Sequence, residues 1–192
     1  MGILKKLTKL FGPSEIKILK EKGDVEGLIQ LMERFPHDYC GAIFKALGEL
    51  GDERAVEPIL KTLEKKPKTF LTVEAINAFR KIGSDRAVAA LSKLLENPKT
   101  NHDEHIKIIN ALGEIRSESA IEQLINMLGD YLMYHVSWSG LFDRTEGDYA
   151  AHKLQEIGQP AIGLLTKAIS EHENESLRQK AGEVLTAIEN KE

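Results

Sequence analysis

One recurring string restricts what this chain can fold into more than any other feature. Residues 46–56 read ALGELGDERAV, residues 78–88 read AFRKIGSDRAV and residues 111–121 read ALGEIRSESAI, and the three align without a gap. The step is 32 residues from Leu50 to Ile82 and 33 from Ile82 to Ile115. Weaker copies flank them at 18–32 (ILKEKGDVEGLIQLM) and 153–169 (KLQEIGQPAIGLLTKAI), and AGEVLTAIENKE at 181–192 reads as the first half of one more. A period of this size marks an array. One such unit cannot bury its own apolar faces, so neighbours must stack and share a core.

Each copy carries two helical signals around a turn. In the best-formed copy Ile43, Phe44, Leu47 and Leu50 follow helical spacing, and Gly51 then supplies a residue that tolerates a left-handed helix end. Asp52, Ser84 and Ser117 stand where an N-cap side chain accepts from the open first-turn amides, and Pro160 suits a first helical position. Apolar stripes follow: Val56, Ile59, Leu60 and Leu63, then Val88, Leu91, Leu94 and Leu95, then Ile121, Leu124, Ile125 and Leu128. No segment shows sustained period-two alternation between hairpin turns. The expected fold is all-α, a right-handed α-solenoid superhelix of about five two-helix repeats.

These strings resemble the HEAT-like repeats named after the phycobilisome lyases, whose units run A-L-G-x-[IL]-G-[DS]-x-R-A-[VI]-x-x-L. The resemblance spans residues 15–192, is strongest over Gly51–Val56 and Gly83–Val88, and weakens at Arg116, which replaces the turn glycine. It implies the fold and carries no single activity, since chromophore lyase subunits, a di-iron hydroxylase and many scaffolds share the repeat. The hydroxylase branch would need His-Glu dipeptides on several units. Only His172-Glu173 is present, so no di-iron site is expected.

Charge and composition exclude other classes. With 26 basic and 30 acidic residues the formal net charge is −4, and basic residues are interspersed with acidic ones, so no nucleic-acid partner is expected. The single cysteine, Cys40, cannot form an internal disulfide, and no secretory leader is legible; the expected setting is the cytoplasm. No catalytic residue is assigned. Nucleophile elbows, phosphate-cradling glycine loops and dinucleotide fingerprints are all missing, and Cys40 among apolar neighbours reads as a core residue. His102, Asp103 and His105 in NHDEH invite a metal reading, but their place at a helix start favours capping by Asn101 or Asp103, and no metal or cofactor is assigned.

Two stretches stand outside the repeat. From Ile115 to Ile157 the step lengthens to 42, which puts an insertion at about 130–148. The helix before it is expected to run on through Met127, Leu128, Leu132 and Met133. The insertion gathers Tyr131, Tyr134, Trp138 and Phe142, with His135, Asp143 and Arg144 as a polar rim, and these seven form the candidate partner-binding patch. The competing reading folds the same aromatic residues over the groove between units. At the other end, residues 1–12 form a basic amphipathic peptide, with Ile3, Leu4, Leu7 and Phe11 in a stripe and Lys5, Lys6 and Lys9 mostly off it. It either caps the first unit or makes weak contact with an anionic membrane, and residues 13–192 are expected to form one repeat domain.

Aligned second helices place Gln30, Lys61, Lys93, Asn126 and Lys167 at equivalent positions, a possible polar ladder. Taken together the residues point to a non-catalytic adaptor or scaffold whose partner is another protein. The alternatives are an accessory subunit of a chromophore lyase or other cofactor-handling enzyme, and a membrane-surface adaptor working through the N-terminal peptide.

Overall fold

The structure, a computed structural model, describes residues 2–34, 39–65, 69–129 and 145–191, with the backbone alone for residues 2–11 and 69. Among the described residues there are eleven α-helices and no strand. They are α1 (Gly2–Glu21), α2 (Val25–Arg34), α3 (Cys40–Leu50), α4 (Val56–Lys65), α5 (Thr69–Ile82), α6 (Asp85–Leu95), α7 (His102–Ile115), α8 (Glu118–Asn126), α9 (Glu146–Ile157), α10 (Gln159–Glu171) and α11 (Glu175–Glu189). Short 3₁₀ turns at Glu53–Ala55 and Met127–Gly129 precede α4 and follow α8. The odd-numbered helices are the first of each repeat and the even-numbered ones the second, so the all-α two-helix architecture read from the period is the architecture found.

The turns form as their residues dictate. Gly51 and Gly83 adopt φ of 70° and 63°, and no atom lies within 4 Å of where a Cβ on Gly51 would sit, so conformation alone demands glycine there. Asp52 accepts from the Arg54 amide, Ser84 from Ala87 and Ser117 from Ala120. Asn101 and Glu104 close a reciprocal capping box on α7, and Thr145 with Asp148 does the same on α9. Arg116 takes the turn glycine's role at φ 57°, the one positive-φ residue other than glycine among those described.

The chain divides into two compact units, Met1–Leu91 and Ser92–Glu192, the division falling within α6. In the first, Ile43, Phe44, Leu47, Ile59 and Phe79 are fully buried, with Cys40 beside them at 2% exposure. The second is built on Ile108, Leu112, Leu124, Leu128, Leu154 and Leu165. Removing each such side chain from water stabilises its unit by about 1.5–3 kcal/mol.

A glycine fixes how closely neighbouring first helices approach. A Cβ on Gly48 of α3 would stand 2.7 Å from the Ala78 Cα of α5, and one on Gly113 of α7 would stand 3.0 Å from Cδ of Lys153 in α9. Both glycines lie three residues before their turn, and Ala78 and Lys153 both lie five before theirs. The same contact is therefore made once in each unit, which explains the glycine in A-L-G-E.

Two elements differ from the sequence reading. The N-terminal helix does not end at residue 12; α1 continues through Pro13 to Glu21. The helix before the insertion changes form at Met127. α8 stops at Asn126 and tightens into the 3₁₀ turn, where a Cβ on Gly129 would meet Asn174 and Leu177 of the α11 start at 2.9 and 3.1 Å. A Cβ on Gly147 of α9 would likewise stand 3.1 Å from the Met127 carbonyl, so the 3₁₀ turn is closely packed on both sides; Leu132 and Met133 lie outside the described residues. From the other side, α9 already begins at Glu146, inside the expected insertion.

Candidate functional site

In the second unit, α8 and α10 leave a groove of about 240 Å³ between them. Ile125, Leu164 and Ala168 line it as apolar surface, and Glu122, Asn126, Lys167, Glu171 and His172 complete it. The positions follow helical register. Ile125 and Asn126 lie three and four residues after Glu122 on α8, and Lys167, Ala168 and Glu171 lie three, four and seven after Leu164 on α10, so each set shares one helix face. Ile125 is buried, Leu164 and Ala168 half-buried, and Glu122, Asn126, Lys167 and Glu171 exposed, so an apolar floor sits under a rim of mixed charge. His172 ends α10; its Nδ1 accepts from the Asn174 amide at 3.1 Å and its carbonyl accepts from Arg178 at 2.7 Å, which holds the groove's end in place.

Asn126 and Lys167 are two of the five residues read as a polar ladder, and here they border one groove. Lys93, the third member in this unit, is exposed, as are Gln30 and Lys61 in the first unit. The aromatic patch of Tyr131, Tyr134, His135, Trp138, Phe142, Asp143 and Arg144 lies outside the described residues. Glu122 and Glu171 went unread in the sequence, although each lies four residues from a ladder position and so shares its helix face, and His172 was weighed only as part of a His-Glu dipeptide.

The NHDEH cluster resolves into separate duties. Asn101 caps α7 and Asp103 is exposed, whereas His105 sits on the buried stripe with Ile108, Ile109 and Leu112. Its Nδ1 lies 2.5 Å from Oε1 of Glu146, both side chains being more than nine-tenths buried, and His102 Nδ1 approaches the same oxygen at 3.8 Å. The pair ties α7 to the first turn of α9. Among the described residues no group of three or more His, Cys, Asp or Glu side chains is arranged to hold a metal ion. Glu104 Oε1 and His105 Nε2 are buried with no hydrogen-bond partner among the described residues.

Charge pairs repeat at the array's step. Glu49 of α3 bonds Lys81 of α5 at 3.3 Å and Lys20 of α1 more closely; Asp148 of α9 meets Lys180 of α11 at 3.5 Å. Glu49–Lys81 and Asp148–Lys180 are each 32 residues apart, one repeat. Lys20, with Lys81 helping against desolvation, holds the Glu49 carboxyl below its ordinary range. For Asp148 desolvation pushes upward, and the Thr145 capping bonds and Lys180 outweigh it, leaving the carboxyl lowered.

Two-helix units, glycine or left-handed turns, capped second helices and a period of 32–33 residues define a helical-repeat protein of the HEAT type. The family model of the PBS lyase HEAT-like repeat matches residues 42–65, 73–97 and 106–130, that is α3–α4, α5–α6 and α7–α8. No curated protein matches the chain. Among solved structures it is similar to a de novo designed 16-helix transmembrane nanopore at 18% identity, covering 91% of this chain and 56% of that one with a TM-score of 0.21. That likeness carries no argument. HEAT-like repeats are in general protein-interaction modules, and no described helix is long and apolar enough to cross a membrane.

Proposed function

We propose that this protein is a non-catalytic adaptor of the cytoplasm and that the α8–α10 groove is a docking surface for another protein. The observation that carries the reading is the groove itself: an apolar floor of Ile125, Leu164 and Ala168 under a rim of Glu122, Asn126, Lys167 and Glu171. Such a surface rewards burial of an apolar side chain and orients it with charge, which is how interfaces gain both affinity and register. Lys93, exposed on α6, and Lys61, exposed on α4 of the other unit, are further candidate contacts, and so is the aromatic patch from Tyr131 to Arg144.

The test is affinity capture from the native cell with the wild-type chain and with Leu164→Arg combined with Lys167→Glu. Proteins captured by the wild type and lost with the variant, at an unchanged circular-dichroism spectrum, support the groove. An unchanged set of captured proteins overturns it. Trp138→Ala in parallel reports on the aromatic patch: lost capture at unchanged melting temperature assigns it to binding, and a large fall in melting temperature assigns it to packing. Addition of a bilin, read by absorbance, addresses the accessory-lyase alternative.

A further inference from the structure

The two compact units differ in charge. Residues 92–192 hold 17 acidic and ten basic residues, whereas residues 1–91 hold 13 and 16. The overall charge of −4 therefore conceals an acidic second unit and a basic first one. The α8–α10 groove belongs to the acidic unit, and its rim concentrates that sign. Glu122 and Glu171 are exposed there, with Lys167 the one ammonium among the lining residues. None of the three is in an ion pair with another described residue. His172 Nδ1 accepts from the Asn174 amide, so that nitrogen carries no proton and the ring adds no charge. The helices add to the same sign. The groove runs along the C-terminal parts of α8 and α10, where a helix carries about half a negative elementary charge, and neither helix has a basic residue in its last turn.

Charges left unpaired around Ile125, Leu164 and Ala168 select what can lie on that floor. A partner bringing an acidic residue to this rim meets repulsion from two carboxylates and two helix ends, whereas one bringing a basic residue is attracted and steered by the whole unit. The floor sets the other requirement. Its space of about 240 Å³ has room for one leucine- or phenylalanine-sized side chain. Along α10, Glu171 stands seven residues beyond Leu164, about 10 Å on the helix axis. A lysine or arginine within about four residues of the apolar anchor therefore reaches the rim, in a helical or an extended segment.

We propose that the groove recognises a basic-apolar peptide segment of its partner, with one aliphatic or aromatic side chain on the floor and a neighbouring lysine or arginine held by Glu122 and Glu171. The inference rests on the groove being a docking surface, and its test separates the two. A phage-displayed library of random short peptides is selected on the full wild-type chain, and the recovered peptides are synthesised and titrated against wild type and variants. Peptides of the basic-apolar pattern are expected, bound by the wild type and lost with Leu164→Arg. Glu122→Gln with Glu171→Gln is expected to weaken them on the order of tenfold, about threefold per charge, at an unchanged melting temperature. Added salt is expected to weaken binding more in the wild type than in that double variant. Peptides that need Leu164 yet lack a basic residue, or that bind the double variant equally well, overturn this inference and leave the groove a docking surface. Recovery of no peptide dependent on Leu164 overturns both. Sedimentation of the chain alone is expected to show a monomer; a dimer that Leu164→Arg disperses overturns the proposal by giving the groove to a second copy.

Discussion

Arg116 shows what a single position in the repeat demands. It occupies the left-handed conformation that Gly51 and Gly83 fill elsewhere, and for a residue with a Cβ that conformation costs about 1–2 kcal/mol. Arg116→Gly is expected to raise stability by roughly 0.5–1 kcal/mol, the relief of strain being partly offset by a freer unfolded chain. Gly51→Ala is expected to lower it by about 1 kcal/mol, purely through conformation since its Cβ site is empty. Urea denaturation measures both. The His105–Glu146 pair makes a second demand. His105→Ala strands a buried carboxylate and is expected to cost about 3–5 kcal/mol, whereas His105→Leu with Glu146→Leu is expected to be near neutral. A double variant as unstable as the single one would show that the pair does more than compensate its own burial.

At the scale of the helix, spacing is set by glycine. Gly48→Val forces α3 away from the Ala78 backbone, and a loss of about 1–3 kcal/mol is expected from overpacking. Gly113→Val should cost less, because what it meets is the flexible Lys153 side chain rather than backbone. Thermal melts of the two variants rank them. Much at this scale was legible beforehand: the period, the turn glycines, the caps at Asp52, Ser84, Ser117 and Asn101, and the apolar stripes all follow from local rules that residue types obey. The parts that were not legible depend on position between helices. His105 and Glu146 are 41 residues apart, near the 42-residue step that the insertion lengthens, but nothing in the pattern of either repeat marks the two as a buried pair. The groove rim was half readable for a similar reason. Its ladder members Asn126 and Lys167 share one repeat position, whereas Glu122, Glu171 and His172 are recognised only once α8 and α10 are seen to flank a gap.

For the molecule as a whole, the division at Leu91 and Ser92 has a thermodynamic counterpart. A helical array is stabilised by its units and by contacts between nearest neighbours, so substitutions in different units act separately. Combining Gly48→Val with His105→Ala is expected to give the sum of the two losses within about 0.5 kcal/mol, measured by denaturant unfolding. An interaction energy well beyond that would show that the two sites are energetically coupled. The charge pairs spaced by one repeat bear on how such a protein arises. Arrays lengthen when the gene copies a whole unit in place, and a copy of the unit containing α3 would set one Glu49 beside another where Lys81 now stands. Like charges so placed are mildly destabilising, and the same holds for Asp148 against its Lys180 partner. The acidic and basic members thus give each unit a neighbour it fits better than a duplicate of itself, and the order of units becomes heritable through charge as well as through the core.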